Sequence, residues 1–112
     1  MREPSAQRLT EADLGQPLGE RATLLQFSSA FCAPCRATRQ LLADVAGRSD
    51  GVAHVEIDVA GRMDLARQLD IRRTPTVFVL GPRGQIAGRA SGLPRRSEVV
   101  DALAQATGDS AP

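Results

Sequence analysis

The chain has two cysteines, Cys32 and Cys35, three positions apart in the stretch FSSAFCAPCRATRQLL, residues 27–42. Thiols that close together have three ordinary uses: a staple, part of a metal clip, or a redox couple. A staple is weakly motivated, because closing a loop of about four residues removes only roughly 2 kcal/mol of unfolded-state entropy. A closed zinc site needs four nitrogen or sulfur ligands. Two cysteines and the single histidine, His54, do not supply them within one chain. The redox use has a mechanism. Cys32 falls at the end of a strand-to-helix loop, where unpaired N–H groups and the helix dipole stabilise a thiolate. Cys35 lies about one helical turn on, close enough to attack a mixed disulfide at Cys32 and release the partner. The spacing therefore yields a nucleophile and a resolver. A C-x-x-C before a helix, within a βαβ pattern, is a specific signal.

The elements that must position this pair can be read from periodicity. Thr10 followed by Asp13 marks a helix start, and Gly15, Pro17 and Gly19 keep that helix short. Thr23–Ser28 is apolar and β-branched enough for a buried strand. From Pro34 the period becomes helical, with Ala37, Leu41 and Val45 on one stripe, Thr38 and Leu42 beside them, and a stop near Gly47. Residues Val52–Val59 alternate as a strand, with Ala53, Val55, Ile57 and Val59 on one face and His54, Glu56 and Asp58 on the other. Met63–Leu69 reads as a short helix with Leu65, Ala66 and Leu69 inward. Pro75–Leu80 is a continuous apolar run, hence a central strand. Gly81–Gly84 turns the chain into a returning strand over Gln85–Ala90. Pro94 suits the first position of a last helix, with Val99, Val100 and Leu103 buried. The tail after Ala106, TGDSAP, is small and polar and is expected to fray.

Composition narrows the classes. One domain is expected over residues 1–112, with an ordered core over about 7–106. Hydrophobic residues make up 42%, charged residues 24%, and the net charge is +1, which argues against disorder and against a polyanion binder such as a nucleic-acid protein. All fourteen basic residues are arginine. No apolar run approaches the length of a membrane span. The start, MREPSAQR, lacks the apolar region of a signal peptide. A cytoplasmic protein is expected, or one at the cytoplasmic face of a membrane if an upstream anchor exists.

Over roughly residues 7–106 the sequence resembles the thioredoxin family. Phe31-Cys32-Ala33-Pro34-Cys35-Arg36 looks like that family's active-site motif, with Phe31 where an aromatic, usually Trp, stands and Ala33 where Gly is usual. Arg73-Thr74-Pro75-Thr76 looks like its second signature, whose proline is cis and packs beside the cysteines. Ser91-Gly92-Leu93 matches the loop that carries a glycine near the site. The resemblance implies an α/β three-layer sandwich: a mixed sheet of about five strands flanked by four helices. It implies dithiol–disulfide exchange with protein disulfides, Cys32 and Cys35 being catalytic. Phe31, Ala33, Pro34, Thr74, Pro75 and Gly92 would contact an extended substrate segment, in a mode resembling strand addition. It implies no cofactor beyond the redox disulfide. The partners would be disulfide-containing client proteins and a separate thioredoxin reductase or membrane electron donor. A monomer is expected.

The sequence departs from the family where many members carry a buried acid and a nearby lysine. Gln26 falls at the acid and His54 at the lysine. Gln26 has no side-chain proton to exchange at physiological pH. His54 titrates near neutrality when unperturbed. The expectation for His54 is a side chain satisfied beside the sheet. The alternative has Gln26 and His54 facing each other under the cysteines, with His54 or a water taking a proton. Arg36, Arg39, Arg72 and Arg73 form either a solvated rim or a positive collar that favours the Cys32 thiolate. The leading function is a reductant of protein disulfides. The alternatives are an oxidant or isomerase in an oxidising compartment, and a binding module whose cysteines only sense redox state.

Overall fold

The computed structural model of the chain describes residues 1–2 and 4–108. In chain order it contains α1 (Glu11–Leu14), β1 (Ala22–Ser28), α2 (Ala33–Gly47), β2 (Val52–Asp58), a 3-10 turn (Val59–Gly61), α3 (Met63–Gln68), β3 (Thr76–Leu80), β4 (Ile86–Ser91) and α4 (Arg96–Thr107). The strands form one sheet in the order β2-β1-β3-β4. The β1–β2 pair is parallel because α2 crosses over between them, and β3 runs antiparallel to both β1 and β4.

Two apolar layers sandwich the sheet. On one face Leu25, Phe27, Val55, Ile57, Phe78 and Leu80 meet Leu14 of α1 and Leu65 of α3. Phe27 and Phe78 pack edge to face there, with ring centroids 5.8 Å apart. On the other face Ala22, Leu24, Val77 and Val79 meet Leu42 and Val45 of α2 and Val99 and Leu103 of α4. All seven residues of β1 are buried, as a central strand covered on both faces requires. The strict alternation along β1 puts Gln26 with Leu24, on the α2 side. Thr10 caps α1 in a reciprocal capping box with Asp13.

The structure differs from the sequence expectations in identifiable ways. Among the described residues the sheet has four strands, where about five were expected. The segment before α1 runs along the outer edge of β4 through Arg2–Arg89 and Arg8–Gln85 bridges and scattered backbone hydrogen bonds. Pro4 has no N–H to continue a ladder. The buried stripe of α2 is Cys35, Thr38, Leu42 and Val45, and Ala37 is exposed. The stripe is rotated because the helix starts at Ala33 and turns Cys35 inward. Pro94 precedes the last helix, whose N-cap is Arg95, and the Glu98 side chain accepts the Arg95 N–H at 3.0 Å. The α4 face that packs is Val99, Ala102, Leu103 and Ala106, which leaves Val100 exposed. Thr107 is helical and Gly108 closes α4 in a left-handed conformation, φ +75°. The rest of the tail expected to fray, residues 109–112, lies outside the described residues.

Candidate active site

The two cysteines stand at the end of β1 and the start of α2. Cys32 is the N-cap residue of α2, in extended conformation, and its Sγ accepts the Cys35 N–H at 3.2 Å. A cap side chain normally supplies an oxygen to the orphan N–H groups of the first turn. Here a sulfur takes that place, so the thiolate of the reduced pair gains the same donor and the positive end of the helix dipole. In this structure Cys32 and Cys35 are joined in a disulfide, with Cα atoms 5.2 Å apart. Cys35 is 1% exposed. Cys32 is half-buried and reachable from outside. That asymmetry separates an attacking sulfur from a resolving one.

Phe31 leads into the pair with a left-handed backbone, φ +59°, and its side chain is fully exposed. An aromatic residue in that region is uncommon and costs backbone energy. Ala33 and Pro34 are exposed beside it.

Sheet register brings the second signature to the cysteines. Thr76 pairs with Phe27, so Pro75 and Thr74 lie across from the loop that follows β1. The Thr74–Pro75 peptide is cis. The Thr74 hydroxyl points to Cys32 Sγ at 3.9 Å and to the Ser29 hydroxyl at 2.7 Å. The Pro75 carbonyl accepts the Gly92 N–H at 2.7 Å, and Gly92 itself has φ +83°. A side chain at Gly92 would be strained and would crowd the Arg73 guanidinium. Next to Thr74 an open groove of about 260 Å³ is bordered by Ser29, Val59, Met63, Ala66 and Ile71.

Beneath the pair is a polar chain whose hydrogen bonds can be oriented one by one. Glu56 accepts from Arg39 Nε at 2.7 Å and from Arg39 Nη2 at 2.8 Å. These bonds hold its carboxyl below the usual carboxylate range, against a partial burial that pushes it up, and the Ser28 hydroxyl adds to the lowering. An ionised carboxylate only accepts, so Ser28 Oγ donates to Glu56 at 2.7 Å. Ser28 Oγ is then free to accept from Gln26 Nε2 at 3.0 Å, and the same amide nitrogen donates to the Cys35 carbonyl at 2.8 Å. This fixes Gln26 Oε1 toward His54 Nε2, 3.3 Å away. His54 must therefore carry its proton on Nε2, an assignment made from the network. Burial lowers the His54 pKa below its ordinary 6.5; Glu56 opposes this shift and Arg39 adds to it. That shift favours the neutral imidazole.

Gln26 and His54 thus face each other, as one reading of the sequence had it. Among the described residues, neither makes a hydrogen bond to a cysteine sulfur. Ser28, Ser29 and Glu56 were not singled out from the sequence. Two had a signal: Ser28 and Glu56 each lie two residues from a suspected site residue, on the same face of the same strand. Two of the four collar arginines are neutralised, Arg39 by Glu56 and Arg72 by Asp70. Arg36 and Arg73 form no ion pair among the described residues. No group of three or more His, Cys, Asp or Glu side chains among those residues is placed to hold a metal ion. No helix among them is long and apolar enough to cross a membrane.

Comparison with known proteins agrees with this geometry. The family model Thioredoxin matches residues 6–105. Thioredoxin H2-1 of Oryza sativa subsp. japonica is 32% identical over 72 residues, covering 64% of this chain and 51% of that protein, so the match spans about half of its length. Bovine (Bos taurus) thioredoxin is 28% identical over 74 residues, covering 66% of this chain and 70% of that protein. Among solved structures, a mutant thioredoxin from Halobacterium salinarum NRC-1 superposes with a TM-score of 0.69 at 23% identity, covering 79% of this chain and 76% of that one, a likeness of fold. The chain belongs to the thioredoxin family of protein-disulfide oxidoreductases, which work through a redox-active disulfide on disulfide-containing substrates.

Proposed function

We propose that the chain reduces the disulfides of client proteins. One observation carries the reading: a reachable Cys32 caps α2, while its partner Cys35 is buried one turn behind it. In the reduced protein the Cys32 thiolate attacks one sulfur of a client disulfide. A Cys32–client S–S bond forms and the client S–S bond breaks, releasing one client thiolate. Cys35 loses its proton and attacks Cys32 Sγ. The mixed disulfide breaks, the second client thiolate leaves, and the Cys32–Cys35 disulfide remains. Two electrons pass to the client.

The client segment lies extended against Thr74 and Pro75, with Phe31, Ala33, Pro34 and Gly92 bordering it. The Cys35 proton leaves to water, because His54 Nε2 already bears a proton and faces Gln26. The chain acts as a monomer in a reducing compartment. A separate thioredoxin reductase or membrane donor returns the two electrons.

The test is an equilibrium redox titration of the pair against a dithiol buffer. A two-electron transition near about −270 mV is expected for a reductant. A value above roughly −180 mV would replace that reading with an oxidant or isomerase. Absence of a transition would leave a binding module.

A further inference from the structure

The hydroxyls of Ser29 and Thr74 are 2.7 Å apart, and Thr74 Oγ1 also stands in hydrogen-bonding geometry to Cys32 Sγ, at 3.9 Å. A threonine has one hydroxyl proton. If Thr74 gives that proton to the sulfur, the proton between the two oxygens must come from Ser29. With the sulfur as acceptor the relay runs from Ser29 O–H to Thr74 Oγ1 and from Thr74 O–H to Cys32 Sγ; without it either hydroxyl can be the donor. The 3.9 Å separation is long, as suits a disulfide sulfur, which is a weak acceptor. Reduction turns that sulfur into a charged acceptor, and charge-assisted bonds are shorter and stronger.

We propose that Ser29 is a positioning residue for the Cys32 thiolate, acting through the Thr74 hydroxyl. Thr74 then serves twice: its backbone borders the client, and its side chain is a second donor to the nucleophile beside the Cys35 N–H. The donor acts on the thiolate and barely on the disulfide, so it enlarges the reactive fraction at a given pH. Sheet register makes the arrangement possible. Ser29 directly follows β1, Thr74 lies two residues before β3, and Thr76 pairs with Phe27.

The inference rests on Cys32 being the attacking thiol, and the test separates the two. Reduced protein is titrated in a Cys35→Ser background, reading the ultraviolet absorbance of the single thiolate. Thr74→Val is expected to raise the Cys32 pKa by about one unit, an about tenfold smaller thiolate fraction below it. Ser29→Ala should raise it by less, and the double variant should match Thr74→Val alone, because Ser29 acts only through Thr74. Thr74→Ser, which keeps the hydroxyl, should restore the parent value. An unchanged pKa in Ser29→Ala, or additive shifts in the double variant, would overturn the proposal. Those results leave the redox titration of the Cys32–Cys35 protein untouched, and that titration alone decides whether the pair cycles.

Discussion

Gln26 Nε2 donates to the backbone carbonyl of Cys35 at 2.8 Å, so one side chain of the central strand pins the first turn of α2 under the resolving sulfur. The same nitrogen meets a chain that begins on another strand. Glu56 makes Ser28 a donor, so Ser28 and the Cys35 carbonyl both accept from the Gln26 amide nitrogen, and the Gln26 oxygen is left to His54. A neutral amide fills a buried position with full hydrogen bonding and no charge to desolvate.

Gln26→Ala should therefore be costly. Gln26 is fully buried, and truncation leaves a cavity, strips the Cys35 carbonyl of its side-chain donor and leaves Ser28 and His54 without their Gln26 partner. A loss of about 3 kcal/mol is expected. Denaturant unfolding of the oxidised protein measures it. Gln26→Glu tests the electrostatics: a second carboxyl beside Glu56 should titrate above the ordinary range and add to disulfide reduction a pH dependence beyond that of the cysteine thiols.

The direction of the chain can be read at its far end. Nitrogen-15 NMR should show His54 as the Nε2–H tautomer at pH 7. Glu56→Gln frees only the sense of Ser28, because the Cys35 carbonyl can only accept and still holds the Gln26 amide nitrogen. The His54 signal should then keep the Nε2–H tautomer, whereas Gln26→Ala, which removes the acceptor facing His54, should give a mixture. A parent His54 that is already mixed would mean that the network is not ordered as assigned.

Much of this was legible in the sequence, for reasons that differ by residue. Cys32 and Cys35 declare themselves because their chemistry depends on local spacing, and the helix that follows is local too. The apolar runs of β1 and β3 gave their own positions because both faces of a central strand are buried. The Gln26–His54 contact was reachable, as an alternative, because the resemblance sets the two residues at the family's buried-acid and lysine positions on neighbouring strands. Ser29 with Thr74 was not reachable. They are forty-five residues apart, and their meeting depends on antiparallel register and on the backbone at Pro75. The fifth strand was expected from the resemblance, but among the described residues the segment containing Pro4 meets the β4 edge through isolated bridges and scattered backbone hydrogen bonds. The stripe of α2 was misplaced because Cys35 was read for its chemistry, whereas it also packs.

Stability should fall on mild acidification through His54. Its folded pKa is depressed below 6.5, chiefly by burial, so between that folded value and 6.5 the unfolded chain binds more protons than the folded one. The contribution is fully present above pH 6.5 and shrinks as pH drops below it. Glu56, also depressed, adds a loss of the same sign only below its ordinary 4.5. Urea midpoints measured against pH should slope downward below 6.5 in the parent and flatten there in His54→Gln. The pH profile of disulfide reduction should be the same in both; a profile that shifts with His54→Gln would bring His54 into proton transfer.

Phe31 is exposed over its whole side chain, so it contributes no packing to the fold. Phe31→Ala should leave the unfolding midpoint nearly unchanged. For a protein substrate it should raise KM several-fold, with a smaller change in kcat, as loss of uniform binding does. Phe31→Gly should match this kinetically and gain slightly in stability, since glycine adopts φ +59° without strain. Equal KM values in parent and Phe31→Ala would remove Phe31 from the client surface.

The asymmetry between the cysteines gives the most direct prediction. Cys35→Ser removes the resolver and keeps the reachable nucleophile, so mixed disulfides should form at Cys32 and persist. Cys32→Ser leaves one thiol that is 1% exposed beneath the cap, and it should trap few or no partners. Incubating each variant with a disulfide-containing protein substrate, then running non-reducing electrophoresis, compares them directly. The Cys35→Ser adduct should disappear on adding dithiol, because the client sulfur is held by one S–S bond. Equal trapping by both variants would mean that Cys35 opens readily and that burial does not set the order of attack. Trapping by neither would mean that the pair does not exchange with protein disulfides, and a binding role would be left to explain the site. Adducts confined to Cys35→Ser require Cys32 to attack first, the order set by where β1 ends and α2 begins.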